Sequence, residues 1–81
     1  MKLHVLLFAS LKDAVGFPVL NVELNESGTV KDLLAALFRE WPQLEGGSAH
    51  VLVSVNQEYA RPDQRLNSKD EIALFPPVSG G

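Results

Sequence analysis

A stripe of apolar residues at helical spacing in the middle of the chain constrains the fold most strongly. Its members recur three or four positions apart and are Val30, Leu33, Leu34, Leu37, Phe38 and Trp41. On a helix this spacing places their side chains along one side, which must then pack against another element. Thr29 can cap the first turn with Asp32 as a weak capping-box partner, and Pro42 stops the helix because proline lacks a backbone N–H. The pattern predicts one amphipathic helix over residues 29–41.

The segments around this helix have the composition of β-strands. Aliphatic runs, alternating patterns and β-branched residues predict four strands at residues 3–9, 20–24, 51–55 and 72–75. A turn at residues 56–58 and a short edge strand at residues 59–61 are also expected. Because side chains of a strand alternate between faces, Leu3, Val5 and Leu7 should share one face, with His4, Leu6 and Phe8 on the other. The first two strands form a hairpin with a long loop that contains Gly16 and Pro18.

The order of these elements is two strands, a helix, and then two or three strands. It predicts an α+β domain with a mixed sheet of four to five strands and one main helix packed on one face, as in the β-grasp (ubiquitin-like) fold. That fold makes the first and last strands parallel neighbours at the sheet centre, which agrees with their nearly continuous apolar character. The 81 residues suffice for one domain. We assign residues 1–75 to it and residues 76–81 to an extended C-terminal tail.

Charge and composition exclude several classes of partner. The formal net charge is −3, from ten acidic and seven basic residues, and no basic run is present, which argues against nucleic acid binding. The absence of cysteine excludes disulfides, thiolate metal sites and a cysteine nucleophile, and it fits a reducing compartment. The apolar stretch at residues 3–11 is short, contains His4 and lacks a cleavage pattern, so it suits a strand better than a membrane segment. We expect a cytoplasmic protein without a membrane partner.

Most candidate sites within the domain have structural explanations. His4 and His50 have no third ligand at metal-binding spacing, so we expect both to be surface or edge histidines. Gly46-Gly47 lacks the Lys-Ser/Thr of a phosphate-binding loop and indicates a flexible loop. The adjacent carboxylates of Asp70-Glu71 should point to opposite faces, as in a solvated turn. No hydrolase triad is indicated. We therefore expect no metal and no permanently bound cofactor.

The composition of the C-terminal segment predicts an extended tail that reaches away from the domain. It reads Phe75-Pro76-Pro77-Val78-Ser79-Gly80-Gly81. Two prolines favour an extended exit from the sheet, and the residues from Pro77 onward can reach roughly 17 Å, far enough to enter another protein's active site. Gly80 and Gly81 lack a Cβ atom and can thread a narrow channel. ATP could activate the terminal carboxylate as an acyl-adenylate, which sulfide or an amine could then attack.

Four segments carry a resemblance to a known family. They are residues 5–16, Thr29-Val30, Val55-Asn56 and, most specifically, the Asp-Glu-Ile-Ala-Leu-Phe-Pro-Pro-Val-Ser-Gly-Gly sequence of residues 70–81. Through them the chain resembles, over its whole length, the small sulfur-carrying subunits of molybdopterin synthase, which are ubiquitin-like. Lys12 and Asp13 stand where that family more often has Arg and Glu. Lys69 stands where it commonly has Gly, so a different turn is expected there.

The resemblance implies a chemical cycle centred on Gly81. An E1-like adenylating enzyme would use ATP to activate Gly81, and a sulfurtransferase would convert it to a thiocarboxylate. The tail, with Pro76, Pro77, Val78, Ser79 and Gly80, would then enter the large catalytic subunit of a heterotetrameric synthase. There it would donate sulfur to a cyclic pyranopterin precursor, in a step of molybdenum cofactor biosynthesis. The chain would be a sulfur donor and would not be catalytic alone.

A docking surface follows from strand parity together with the resemblance. If Leu7 and Leu74 face the helix, Phe8 and Phe75 face away from it on adjacent central strands near the tail. We expect these two phenylalanines to contact the partner, and Lys12 to pair with an acidic group on it. In the alternative interpretation the parity is shifted by one residue and the phenylalanines lie in the core.

Other functions also fit the pattern. The chain could be a sulfur carrier for thiazole or cysteine biosynthesis, or a ubiquitin-like modifier that is attached to lysines. It could also be a non-covalent β-grasp adaptor that binds through its sheet face or edge. Only the adaptor interpretation assigns no role to Gly81.

Overall fold

The computed structural model describes residues 1–44 and 51–76 as a mixed sheet with helices. In chain order the elements are β1 (Lys2–Leu7), α1 (Ser10–Val15), β2 (Val19–Glu23), α2 (Val30–Glu40), the 3-10 helix η1 (Pro42–Leu44), β3 (Leu52–Val55), β4 (Glu58–Tyr59) and β5 (Ile72–Phe75). The five strands of the described residues are ordered β2-β1-β5-β3-β4. Strands β1 and β5 run parallel, and every other neighbouring pair is antiparallel. The predicted β-grasp architecture, with the first and last strands adjacent, is confirmed.

The hydrophobic core lies between one face of the sheet and α2. The sheet contributes buried side chains from alternating positions, which include Leu3, Val5, Leu7, Ile72 and Leu74. Helix α2 contributes Val30, Leu33 and Leu37, three members of the predicted stripe. The other three members, Leu34, Phe38 and Trp41, are partly buried and pack against this cluster. The predicted parity of β1 is confirmed, because Leu3, Val5 and Leu7 all point into the core.

The start of α2 is fixed by the predicted cap and by a distant loop. The Thr29 hydroxyl accepts a hydrogen bond from the Asp32 backbone N–H at 3.3 Å, and the Asp32 carboxylate accepts one from the Thr29 N–H at 3.0 Å. The N–H groups of Val30 and Lys31 donate to the carbonyl oxygens of Gln64 and Pro62. The first helical N–H groups, which have no partner within a helix, are therefore satisfied.

Helix α1 is an element that the sequence did not predict. Its six residues lie where we expected a loop, and β1 correspondingly ends at Leu7 rather than Ala9. Leu11 is the one buried residue of α1. Gly16, with φ 92°, ends the helix, and its N–H donates to the Lys12 carbonyl at 2.8 Å. A six-residue helix with one buried side chain has no recognisable apolar stripe. The hydrophobic pattern of the sequence therefore did not predict α1.

The loop before β5 is built on side-chain hydrogen bonds. The Asn56 amide donates to the Asp70 carboxylate at 2.9 Å and accepts from the Glu71 backbone N–H at 2.9 Å. Asp70 also accepts from the Asn67 N–H, and the Lys69 N–H donates to the Asn67 side chain. The φ of Lys69 is not positive, so this turn does not need glycine. Glu71 is exposed, whereas Asp70 is partly buried and its carboxylate accepts two hydrogen bonds. The predicted turn is confirmed, but Asp70 is not the fully solvated residue that we expected.

The hairpin between β3 and β4 contains a residue in an unfavourable conformation. Its two-residue loop, Asn56-Gln57, has φ values of 54° and 71°. Positive φ at both central residues is the requirement of a type I′ turn, for which Asn-Gly is the preferred sequence. Asn56 suits its position, whereas Gln57 occupies the position that favours glycine.

We expect Gln57→Gly to raise the free energy of unfolding by roughly 0.5–1 kcal/mol, because relief of the left-handed conformation exceeds the added entropy of the unfolded chain. Chemical denaturation followed by circular dichroism measures this change. Gln57→Ala is the control, since it removes the same polar group but retains the Cβ atom. Equal stabilities of the Gly and Ala variants would contradict the assignment of strain to Gln57.

Candidate functional site

The face of the sheet away from α2, here called the outer face, carries exposed apolar side chains. Directly paired residues lie on the same face, so the strand register defines a row across all five strands. This row consists of Val19, Leu6, Ala73, Ser54 and Tyr59. Val19 is 40% exposed and Tyr59 is 74% exposed. Large apolar side chains left exposed on one face can mark a binding site, so the outer face is a candidate docking surface.

Phe8 and Phe75 form an aromatic pair at one end of the outer face. Their ring centroids lie 4.7 Å apart with an interplanar angle of 11°, so the rings are stacked. Leu7 and Leu74, the preceding residues, are paired in the parallel register and buried at 3% and 0% exposure. The orientation predicted for both phenylalanines is therefore confirmed, and the alternative parity is wrong. Phe8 remains 42% exposed.

The aromatic pair borders an open hollow of about 510 Å³ on the outer face. Its apolar walls are Leu6, Phe8, Ala73, Phe75 and Tyr59, and its polar lining is Ser54, Gln57 and Glu71. Sequence reasoning placed Tyr59 in an edge strand but gave it no role. Its pairing with Ser54 sets the face on which it lies, and local sequence does not encode that pairing.

The opposite end of the outer face is polar. Here Lys2 pairs with Glu23 and His4 pairs with Asn21 across β1 and β2. The His4 Nδ1 and Asn21 Oδ1 atoms are 2.5 Å apart on the exposed surface. His4 is therefore the surface histidine that we predicted. The outer face changes from polar to apolar towards Phe8 and Phe75.

The remaining predicted site residues are only partly described. Lys12 is exposed on α1, four positions after Phe8, and within residues 1–44 and 51–76 it forms no ion pair. Pro76 is partly buried and directly follows Phe75, so the chain leaves the central strand β5 beside the stacked rings. Pro77, Val78, Ser79, Gly80 and Gly81 lie outside the described residues, as do Gly46, Gly47 and His50. The structure thus brings Phe8, Phe75 and Pro76 together.

The described part of the chain offers no site for a metal ion. Among those residues, no group of three or more His, Cys, Asp or Glu side chains is close enough to hold one. Among the same residues, no helix has the length and hydropathy needed to span a membrane.

Comparison with known proteins identifies full-length similarities. The model of the ThiS family matches residues 5–81. The molybdopterin synthase sulfur carrier subunit of Dictyostelium discoideum is 40% identical over 80 residues, which cover 95% of this chain and 93% of that protein. The crystal structure of SAMP1, the small archaeal modifier protein 1 of Haloferax volcanii, is 36% identical with a TM-score of 0.86 and full coverage of both chains.

A more distant structure shares the fold. It is a protein-protein complex of subunits 1 and 2 of molybdopterin-converting factor from Helicobacter pylori, and the matching chain is 24% identical with a TM-score of 0.69. The match covers all of both chains. At this identity the likeness establishes the β-grasp architecture alone.

Proposed function

This chain belongs to the ThiS family, and we propose that it is the sulfur carrier subunit of a molybdopterin synthase in molybdenum cofactor biosynthesis. The observation that carries the proposal is the 40% identity, over nearly the full length of both chains, to a protein of that name. The stacked Phe8 and Phe75 rings support it physically, because they create an apolar contact surface where the tail begins.

In the proposed cycle the reactive group is the carboxylate of Gly81. An E1-like enzyme activates it with ATP, so that a carboxylate oxygen bonds to the α-phosphate and pyrophosphate leaves. A sulfurtransferase then supplies sulfur at the oxidation level of sulfide, which attacks the acyl carbon. The bond between that carbon and the phosphate oxygen breaks, AMP leaves, and a thiocarboxylate forms. No cysteine of this chain is required, which agrees with the absence of cysteine from the sequence. The chain itself holds no cofactor, and ATP acts as a substrate of the activating enzyme.

The proposed recipient is the large catalytic subunit of the synthase. It docks on the apolar end of the outer face through Phe8 and Phe75, while an acidic group of the partner pairs with Lys12. Pro76 and Pro77 direct the rest of the tail into the partner's active site. There the thiocarboxylate sulfur bonds to a carbon of the pyranopterin precursor in place of an oxygen leaving group. Water then hydrolyses the acyl–sulfur bond, so that the sulfur stays on the precursor and the Gly81 carboxylate is regenerated.

A second candidate function is protein modification. The 36% identity and TM-score of 0.86 to an archaeal modifier protein favour it specifically. The same adenylate of Gly81 would then be attacked by a lysine amine instead of a sulfur donor, and an isopeptide bond would form.

Mass spectrometry of the intact protein tests which nucleophile is used. We expect the chain, isolated from its native cell, to include a species heavier by the mass difference between sulfur and oxygen, located at Gly81. Isopeptide-linked adducts without any such species would support the modifier instead. A chain lacking Gly81 and produced in the same cells is the control, and it should show neither product.

A further inference from the structure

The turn between β1 and α1 places an alanine where glycine is preferred. The Leu11 N–H donates to the Phe8 carbonyl at 3.2 Å, which closes a four-residue turn. Ala9, its first central residue, has φ 52° and ψ −129°. These angles match the first central position of a type II′ turn, the mirror image of type II, and glycine dominates that position.

The Ala9 side chain makes the backbone of this turn strained, and it adds nothing to the hydrophobic core. An L-residue held in this region is strained, by an amount that corresponds to about tenfold in the folding equilibrium. Ala9 is exposed, so its methyl group does not add to the core. The hydrogen bond from the Asp13 N–H to the Ala9 carbonyl involves only backbone and would form equally well with glycine. Neither core packing nor this backbone hydrogen bond therefore accounts for the methyl group.

The position of Ala9 points to a contact outside the domain. Ala9 directly follows Phe8, whose ring stacks on Phe75, and Pro76 begins the tail next to that ring. Strained residues that the fold does not require cluster at functional sites. Ala9 borders the apolar end of the outer face, at the place where the tail leaves the domain.

We propose that Ala9 is a contact residue for the large subunit of molybdopterin synthase, and that its methyl group becomes buried against that partner when the tail enters. This inference rests on the proposed function, because it needs the partner that receives the tail. Continuity with the surface formed by Phe8 and Phe75 selects this occupant. Burial of one methyl group contributes about fourfold to the affinity.

The test is the substitution Ala9→Gly, which should move stability and affinity in opposite directions. We expect the melting temperature to rise by a few degrees, because the strain is relieved. The dissociation constant for the purified large subunit, measured by calorimetry, should increase about fourfold. A residue with only a structural role would change the melting temperature and leave the affinity unaltered.

Two further variants separate the possible results. Ala35→Gly removes an exposed methyl group from α2, on the side away from the outer face, and should lower the melting temperature without changing the affinity.

Phe8→Ala tests the docking surface itself. If Phe8→Ala weakens binding and Ala9→Gly does not, the role of Ala9 is wrong and the docking surface stands. If neither variant changes the affinity, the docking surface and the role of Ala9 both fail. A native chain that does not bind the large subunit contradicts the proposed function and this inference with it.

Discussion

Deletion of Gly81 is expected to abolish sulfur transfer and to leave the fold and docking nearly unchanged. The last buried residue of the described core is Leu74, so removal of the final residue takes nothing from it. The shortened chain would end at Gly80, with its carboxylate withdrawn by roughly 3.3–3.6 Å. Since a displacement of about 1 Å can already cost on the order of 100-fold in rate, this shift should place activity below detection.

A single-turnover assay measures this result directly. Thiocarboxylated chain is mixed with the large subunit and the pyranopterin precursor, and the sulfurated product is quantified. Thermal melting and the dissociation constant for the large subunit are the controls, and both should match those of the full chain. Full turnover by the shortened chain would contradict a role for Gly81. A lower melting temperature would instead show that the terminus contributes to the packing of the domain.

The main features of the fold were predictable because they depend on local signals. The α2 stripe, the capping residues Thr29 and Asp32, and the β-rich segments are each encoded within a few neighbouring positions. Alternation along β1 was also sufficient to predict that Phe8 points away from the core. Once β1 and β5 are placed side by side, the same alternation predicts the pairing of Phe8 with Phe75.

The features that the sequence did not reveal depend on distant or weak determinants. Tyr59 joins the outer face through its pairing with Ser54, and the loop before β5 is held by an Asn56–Asp70 hydrogen bond between residues 14 positions apart. Helix α1 is too short to produce a periodic signal. The positive φ of Ala9 is imposed by the abrupt change from β1 to α1, and alanine is not a residue that predicts such a turn.

Substitution of the stacked phenylalanines should cause the largest loss of function after deletion of Gly81. We expect Phe8→Ala and Phe75→Ala each to weaken binding to the large subunit by roughly 10- to 100-fold, since aromatic residues at the centre of an interface commonly contribute at least about 2 kcal/mol. The Phe8 variant separates binding from stability better. Phe8 is 42% exposed, so its removal should lower the free energy of unfolding only slightly. Phe75 is partly buried, so its removal should also reduce stability.

A double-mutant cycle tests whether the two rings act as one contact. Their 4.7 Å stacking predicts that the two losses in binding free energy are not additive, with a coupling of about 0.5–1.5 kcal/mol. Phe17→Ala is the matched control, since Phe17 is 55% exposed but packs edge-on against Trp41 rather than in the outer-face row. An equal loss of affinity in the Phe17 variant would mean that exposed aromatic area in general drives the association. A loss confined to Phe8 and Phe75 would place the docking contact where the tail emerges, which is the arrangement that delivers Gly81 to the partner's active site.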